Sequence, residues 1–193
     1  MFSIAFLVFI TLAAIQRFGM EGRGHRRAKR GAVKWTWTGY VMVVCHILTY
    51  SGTVIEFLLG HQYTTLNPLL SSIGIGLFLL GFLLRRWAIL TLGPYWSVQI
   101  ELRPDQPLIR TGPYRFIRHP NYVALVLEVL GLPLIGNASY TFVAVVLCYS
   151  PLIFFRLVAE ERALLAAFPQ AYRQYQQATG AVFPKISCFW KRS

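Results

Sequence analysis

The sequence predicts an all-α, polytopic membrane protein of about five transmembrane helices, the last two a helical hairpin, followed by a helical C-terminal tail. Three observations predict it. Of the 193 residues, 55% are hydrophobic and 13% charged, against about 25% charged in a soluble domain, and the mean hydropathy is +0.50. The apolar residues gather in runs near the length that crosses a bilayer. All 19 Lys and Arg residues fall in three stretches: after the first run, around the third-to-fourth connection, and in the tail. Five spans put those stretches on one side. The positive-inside rule then places the N-terminus outside and the C-terminus in the cytoplasm.

The net charge of +12 fits either a nucleic acid or an anionic leaflet, and the apolar runs decide for membrane lipids over nucleic acid. Cys45, Cys148 and Cys188 have no C-x-x-C spacing, so no disulfide framework and no metal site is expected, and they read as small buried hydrophobes. With no composition shift, 1–193 reads as one membrane domain, 1–92 holding three spans and 93–193 the motifs, two spans and the tail.

The elements follow in order. Met1 to Phe18 is apolar up to Arg17, with no charge before the run and a basic cluster after it, which predicts an uncleaved first span. Arg17, Arg23, Arg26, Arg27, Lys29, Arg30 and Lys34 make a basic inner loop. The second span runs from about Trp35 to Leu59, with Trp35, Trp37 and Tyr40 as an interfacial belt. In it, His46 is expected to make a helix–helix hydrogen bond, and Glu56, near the outer end, is given no role. The third span runs from about Leu69 to Leu92. Its Ser72 and Gly76 form a small-xxx-small surface for close packing. Gly74-Ile75-Gly76 lacks the third glycine of a nucleotide loop and lies inside the apolar run.

A polar segment, Gly93 to Asn121, carries Arg103, Arg110, Arg115 and Arg118, with Arg85 and Arg86 near its membrane entry. The fourth span, Tyr122 to Ile135, and the fifth, Tyr140 to Leu157, flank the tight turn Gly136-Asn137-Ala138-Ser139. The tail is predicted helical from Arg156, since Leu157, Leu164, Leu165, Phe168, Tyr172 and Tyr175 recur at helical spacing. Pro169 breaks that run and starts a second short helix.

Two clusters could carry chemistry. In Arg118-His119-Pro120-Asn121-Tyr122, Pro120 suits the first turn of the fourth span, which leaves Arg118 and His119 at a helix N-terminus that favours an anion. The plainer reading is an orienting Arg118 and an interfacial His119. In the second cluster, Arg156 and Glu160 lie four apart on one helix face, as a local ion pair or as a pair that handles a zwitterion at the depth of Arg118. Glu128, about two turns into the fourth span, is costly unless paired or solvated, and is a candidate for the substrate tunnel or its support.

Arg-His-Pro-x-Tyr at a span's start, a short hairpin, then Glu160-Glu161 with Tyr172 and Tyr175 after it, and Thr179 to Pro184 as a tail, together resemble the isoprenylcysteine carboxyl methyltransferases, over about Leu92 to Ile186. The resemblance implies a methyltransferase with S-adenosylmethionine as cofactor. Position by position it implies a cofactor shell of Gln99, Gln106, Pro107, Leu108, Ile109, Tyr114, His119, Pro120, Asn121, Tyr122 and Glu160, a cover from the helical tail, and Arg156 as the substrate arginine. The animal enzymes carry further N-terminal spans and a longer acidic run, so this chain looks more like the compact bacterial members. Some of those resemble partners of type III polyketide synthases and methylate alkylpyrone or alkylresorcinol hydroxyls. The implied acceptor is thus a lipophilic molecule bearing either a prenylcysteine-type carboxylate or such a hydroxyl.

A carboxylate nucleophile is ionised at neutral pH and needs no base, while Arg156 could grip it bidentately. A hydroxyl calls for proton removal, with Glu128 or His119 as candidates. Two other readings stand beside this one: an NADPH-dependent sterol-type membrane reductase, against which Val123-Ala124-Leu125 stands where that branch would carry Gly-Glu, and a non-catalytic membrane scaffold or carrier.

Overall fold

The computed structural model describes residues 2–27, 32–34, 36–60, 66–102 and 106–185. Six helices carry the fold: α1 (Phe2–Arg27), α2 (Thr36–Gly60), α3 (Pro68–Leu92), α4 (Pro120–Ile135), α5 (Ser139–Ala167) and α6 (Pro169–Ala178). Three of them, α2, α3 and α5, are long and apolar enough to cross a membrane. Ile4–Arg17 of α1 and all of α4 are shorter apolar helices. The outward faces are greasy, with Leu79, Leu83, Leu90, Leu147 and Phe154 all exposed, as suits an integral membrane protein whose solvent is lipid.

The all-α expectation needs one addition. Strand β1 (Ala32–Lys34) pairs antiparallel with β2 (Ile100–Leu102), Val33 opposite Glu101. A three-residue pairing carries too little alternation to register as a strand pattern.

α4 is the hub. At about 1.5 Å per residue its 16 residues reach only about 24 Å, and both of its faces are covered. One apolar cluster joins Phe6 and Ile10 of α1 to Phe57, Phe78, Leu132 and Ile135. The other joins Met42 of α2 and Leu125 and Val129 of α4 to Val145, Tyr149 and Ile153 of α5.

Close approach of α3 and α4 rests on glycine. A Cβ on Gly74 would lie 2.7 Å from the Gly131 carbonyl, and one on Gly81 would lie 2.7 Å from that of Ala124. The expected surface of Ser72 and Gly76 is corrected by this. Ser72 is exposed and donates to Pro68 O at 2.8 Å, and nothing lies within 4 Å of a Cβ on Gly76. The buried stripe is Ser71, Gly74, Phe78, Gly81, Arg85 and Ala88, turned about 100° per residue away from the predicted one.

Helix ends match the sequence closely for α3 and α4, where Pro68 and Pro120 sit in the first turns. α1 differs. It runs nine residues past the expected end at Phe18, to Arg27, and Arg17 is a buried helical residue instead of the start of a loop. Arginine is a good helix former, and its charge here is met inside the bundle. α5 continues through the predicted membrane exit as one 29-residue helix, and α6 starts at Pro169 as expected.

At the bundle end away from α6, two carboxyl and amide side chains close the structure. Glu56 accepts from the backbone N–H groups of Tyr140 and Thr141 at 2.9 and 2.8 Å, so it caps the N-terminus of α5. Asn137, at φ 53°, accepts from Asn67 N and donates to Ser71 Oγ, both at 2.8 Å. Trp35 and Cys188 lie outside the described residues, whereas Cys148 is exposed on α5 instead of buried.

Candidate active site

The opposite end of the bundle gathers the polar residues. α3 stops at Gly93, whose φ is 54°, and the chain turns through Trp96 to Gln99 into β2. A second turn, Gly112–Arg115, presses on α3: a Cβ on Gly112 (φ 56°) would lie 2.5 Å from Thr91 Oγ1. The backbone N–H groups of Arg118 and His119 then donate to Gly180 O and Ala181 O at 2.8 and 3.0 Å. The segment after α6 is therefore strapped across the start of α4.

Glu161 holds this end together. Its Oε1 accepts from Arg118 Nε at 2.8 Å and Nη2 at 2.7 Å, and lies 3.1 Å from His119 Nε2. Tyr172 Oη donates to it at 3.3 Å and Gln176 Nε2 to its Oε2 at 3.0 Å. Arg118 also reaches the carbonyls of Gln176 and Thr179. One carboxylate thus joins α4, α5 and α6 with charge-assisted bonds. Of Arg118 and His119, each with two readings in the sequence, the first is ion-paired and the second hydrogen-bonded to a residue of the other motif.

Glu160, one position on, points elsewhere and accepts from Tyr122 Oη at 2.5 Å. Arg156 does not pair with it. It donates from Nη1 to Thr38 Oγ1 and from Nη2 to Val98 O, both at 2.6 Å. A guanidinium has five N–H donors, so Arg156 keeps others, among them the buried Nε. Tyr175 Oη donates to Tyr114 O. Burial, with the Glu160 charge beside it, holds the Tyr114 phenol well above its usual pKa. Burial and Glu161 do the same for Tyr172. Both therefore stay protonated donors.

A cavity of about 1160 Å³, counted with its open mouth, lies among these groups. Its wall includes Gln99, Gln106, Pro107, Leu108, Ile109, Tyr114, His119, Asn121, Tyr122, Arg156 and Glu160. Pro120 is fully buried in the first turn of α4, and among the described residues it is not on the wall. Neither is Glu128, whose Oε2 accepts from Arg17 Nη1 at 3.0 Å and Arg85 Nη1 at 3.2 Å. Tyr172 and Tyr175 of the covering tail line the cavity too, while sequence reasoning missed Tyr95 and Trp96, and above all Arg17 and Arg85, which also line it. The signal for those two was Glu128 itself, because a carboxylate at that depth demands cations. His46, as expected, bonds across helices: Arg17 Nη2 donates to its Nε2, and Tyr149 Oη lies 3.0 Å from it.

Fold and site define a class: a helical integral membrane protein with a cavity at one end of its bundle, under a short helix and a backbone strap. The family model described as "Isoprenylcysteine carboxyl methyltransferase (ICMT) family" matches residues 74–166. The chain is 29% identical to the uncharacterised protein YpbQ of Bacillus subtilis, over 85% of this chain and 96% of that one. It is 36% identical to the protein-S-isoprenylcysteine O-methyltransferase of Tribolium castaneum, over 61% of this chain and 42% of that one. The solved structure of a eukaryotic intramembrane Ras methyltransferase, ICMT, superposes with a TM-score of 0.63 at 31% identity, covering 74% of this chain and 53% of that one. Over the matched residues the chain is similar to the ICMT family, and these likenesses support a membrane methyltransferase. It spans about half the length of the isoprenylcysteine methyltransferases it matches.

Proposed function

We propose that the protein is an S-adenosylmethionine-dependent O-methyltransferase for a lipophilic acceptor, with five spans, its N-terminus outside and its cavity at the cytoplasmic face. The observation that carries this reading is the convergence of residues 85 to 175 on one cavity with two chemistries: polar groups under α6, and arginines toward the bundle. The wall fits the cofactor. Asn121 Oδ1 and Trp96 Nε1 are buried without a hydrogen-bond partner among the described residues, an acceptor and a donor suited to a ligand rich in both. Glu160 offers a carboxylate to a cationic ligand group, and Gln99, Gln106 to Ile109, Tyr114, His119, Asn121 and Tyr122 complete the shell, with Pro120 setting the start of α4.

S-adenosylmethionine supplies an electrophilic methyl group on sulfur. The protein aligns the acceptor and keeps water out. Arg156, held by Thr38 and Val98, would turn its remaining N–H groups on the acceptor oxygen. His119 is fixed by Glu161 and would position the wall. Glu128, gripped by two guanidinium groups, is an anchor for arginines.

The test is calorimetry with S-adenosylhomocysteine. Wild type should bind it, and Glu160→Ala should bind at least about tenfold more weakly. Equal affinity would remove Glu160 from the site. A labelled-methyl assay over prenylcysteines, alkylpyrones and alkylresorcinols would then identify the acceptor.

A further inference from the structure

The deep wall of the cavity holds a cluster that the motifs do not account for. Arg17 of α1, Arg85 of α3 and Glu128 of α4 are all buried, at 2%, 2% and 7% exposure. Both guanidinium groups converge on one oxygen of Glu128, at 3.0 and 3.2 Å. Behind Arg17 stands His46, whose Nδ1 lies 2.6 Å from Met42 O. Glu128 lies eight residues into α4, about 12 Å from its first turn. The two arginines line the cavity and the carboxylate does not. The face turned to the cavity is therefore cationic, with the anion that stabilises it set behind.

We infer that Arg17 and Arg85, held by Glu128, form a second anion-recognising subsite that selects an acceptor bearing an ionised oxygen: a carboxylate, or an enol or phenol acidic enough to be ionised there. This rests on the methyltransferase reading. Two buried guanidinium groups favour the charged form of such a group. An acceptor that arrives as an anion forms its new C–O bond while the sulfonium C–S bond breaks, and no proton remains to be removed. With such a subsite the cavity would need no general base, and Glu128 has its place. Arg17 lies outside the matched residues 74–166, so this end of the site is supplied by a helix that the family match does not cover.

The experiment compares purified wild type, Arg17→Gln and Arg17→Lys. Each is assayed for labelled-methyl transfer to N-acetyl-S-farnesylcysteine, to pentadecylresorcinol and to a neutral long-chain alcohol, with S-adenosylhomocysteine affinity measured alongside. We expect wild type to use one of the two acidic acceptors and not the alcohol. Arg17→Gln should raise KM for that acceptor by about tenfold or more, while homocysteine-product affinity stays within about twofold. Arg17→Lys should lie between, because it keeps the charge and loses the fork, and it carries the test alone if Arg17→Gln does not fold. The inference is overturned by a KM within about twofold of wild type in the folded variants. It is overturned equally by preference for the alcohol, or by cofactor-product binding lost together with KM. Wild-type binding of S-adenosylhomocysteine without transfer to any acidic acceptor sinks the subsite alone, and absence of that binding sinks the methyltransferase reading.

Discussion

At the scale of single residues, two adjacent carboxylates have separate tasks. Glu161 receives Arg118, His119, Tyr172 and Gln176, while Glu160 meets Tyr122 on the cavity wall. Glu161→Ala should strand Arg118 at 10% side-chain exposure and lower stability by about 2 kcal/mol, read as a fall in melting temperature in detergent. Glu160→Ala should leave that temperature nearly unchanged and act on ligand affinity. The buried phenols add a pH dependence. The folded-state pKa values of Tyr114 and Tyr172 are raised above the unfolded value, so their contribution is complete below about pH 10 and is lost as the pH rises beyond it. A Tyr114→Phe/Tyr172→Phe variant should show a flatter decline of melting temperature between about pH 9 and 12. An equal decline would show that the phenols do not set it. The Arg-His-Pro-x-Tyr and Glu-Glu residues were legible in the sequence because each belongs to a compact motif. Arg17 and Arg85 were not, because each met the positive-inside pattern equally well as a boundary residue, and only packing distinguishes an interfacial arginine from one paired to Glu128.

At the scale of elements, helix starts were easier to read than helix faces. Prolines 68, 120 and 169 mark three N-termini by a local steric rule, and the structure begins helices at each. The α3–α4 face was misread because Ser72/Gly76 and Gly74/Gly81 are both small-residue pairs, and periodicity alone does not say which one meets another backbone. The difference is testable. Gly81→Ala places a methyl 2.7 Å from a backbone carbonyl and should cost about 1–3 kcal/mol. Gly76→Ala enters open space and should be neutral or slightly stabilising by helix propensity. Equal melting temperatures for the two would contradict the packing described. The helix past Arg156 was legible in the spacing of Leu157, Leu164, Leu165 and Phe168, and the structure runs it on from the fifth span as one helix to Ala167.

At the scale of the whole molecule, the first helix belongs to both core and site. α1 contributes Phe6 and Ile10 to one core cluster and Arg17 to the cavity, so the cavity also draws on a residue from the three-span segment 1–92. The proposed orientation predicts that a reporter fused after residue 193 is active only in the cytoplasm, and that one fused before residue 1 is active only outside. A reversed pattern would invert the sidedness of the cavity.

The strap over the start of α4 has a consequence in time. Arg118 and His119 bond to the carbonyls of Gly180 and Ala181, and the roof residues Tyr172 and Tyr175 are also made well after the motif. At about 5–20 residues per second of synthesis, the motif waits several seconds in a nascent chain before its cover exists. The ligand chamber is therefore completed only once the chain has been made through Ala181.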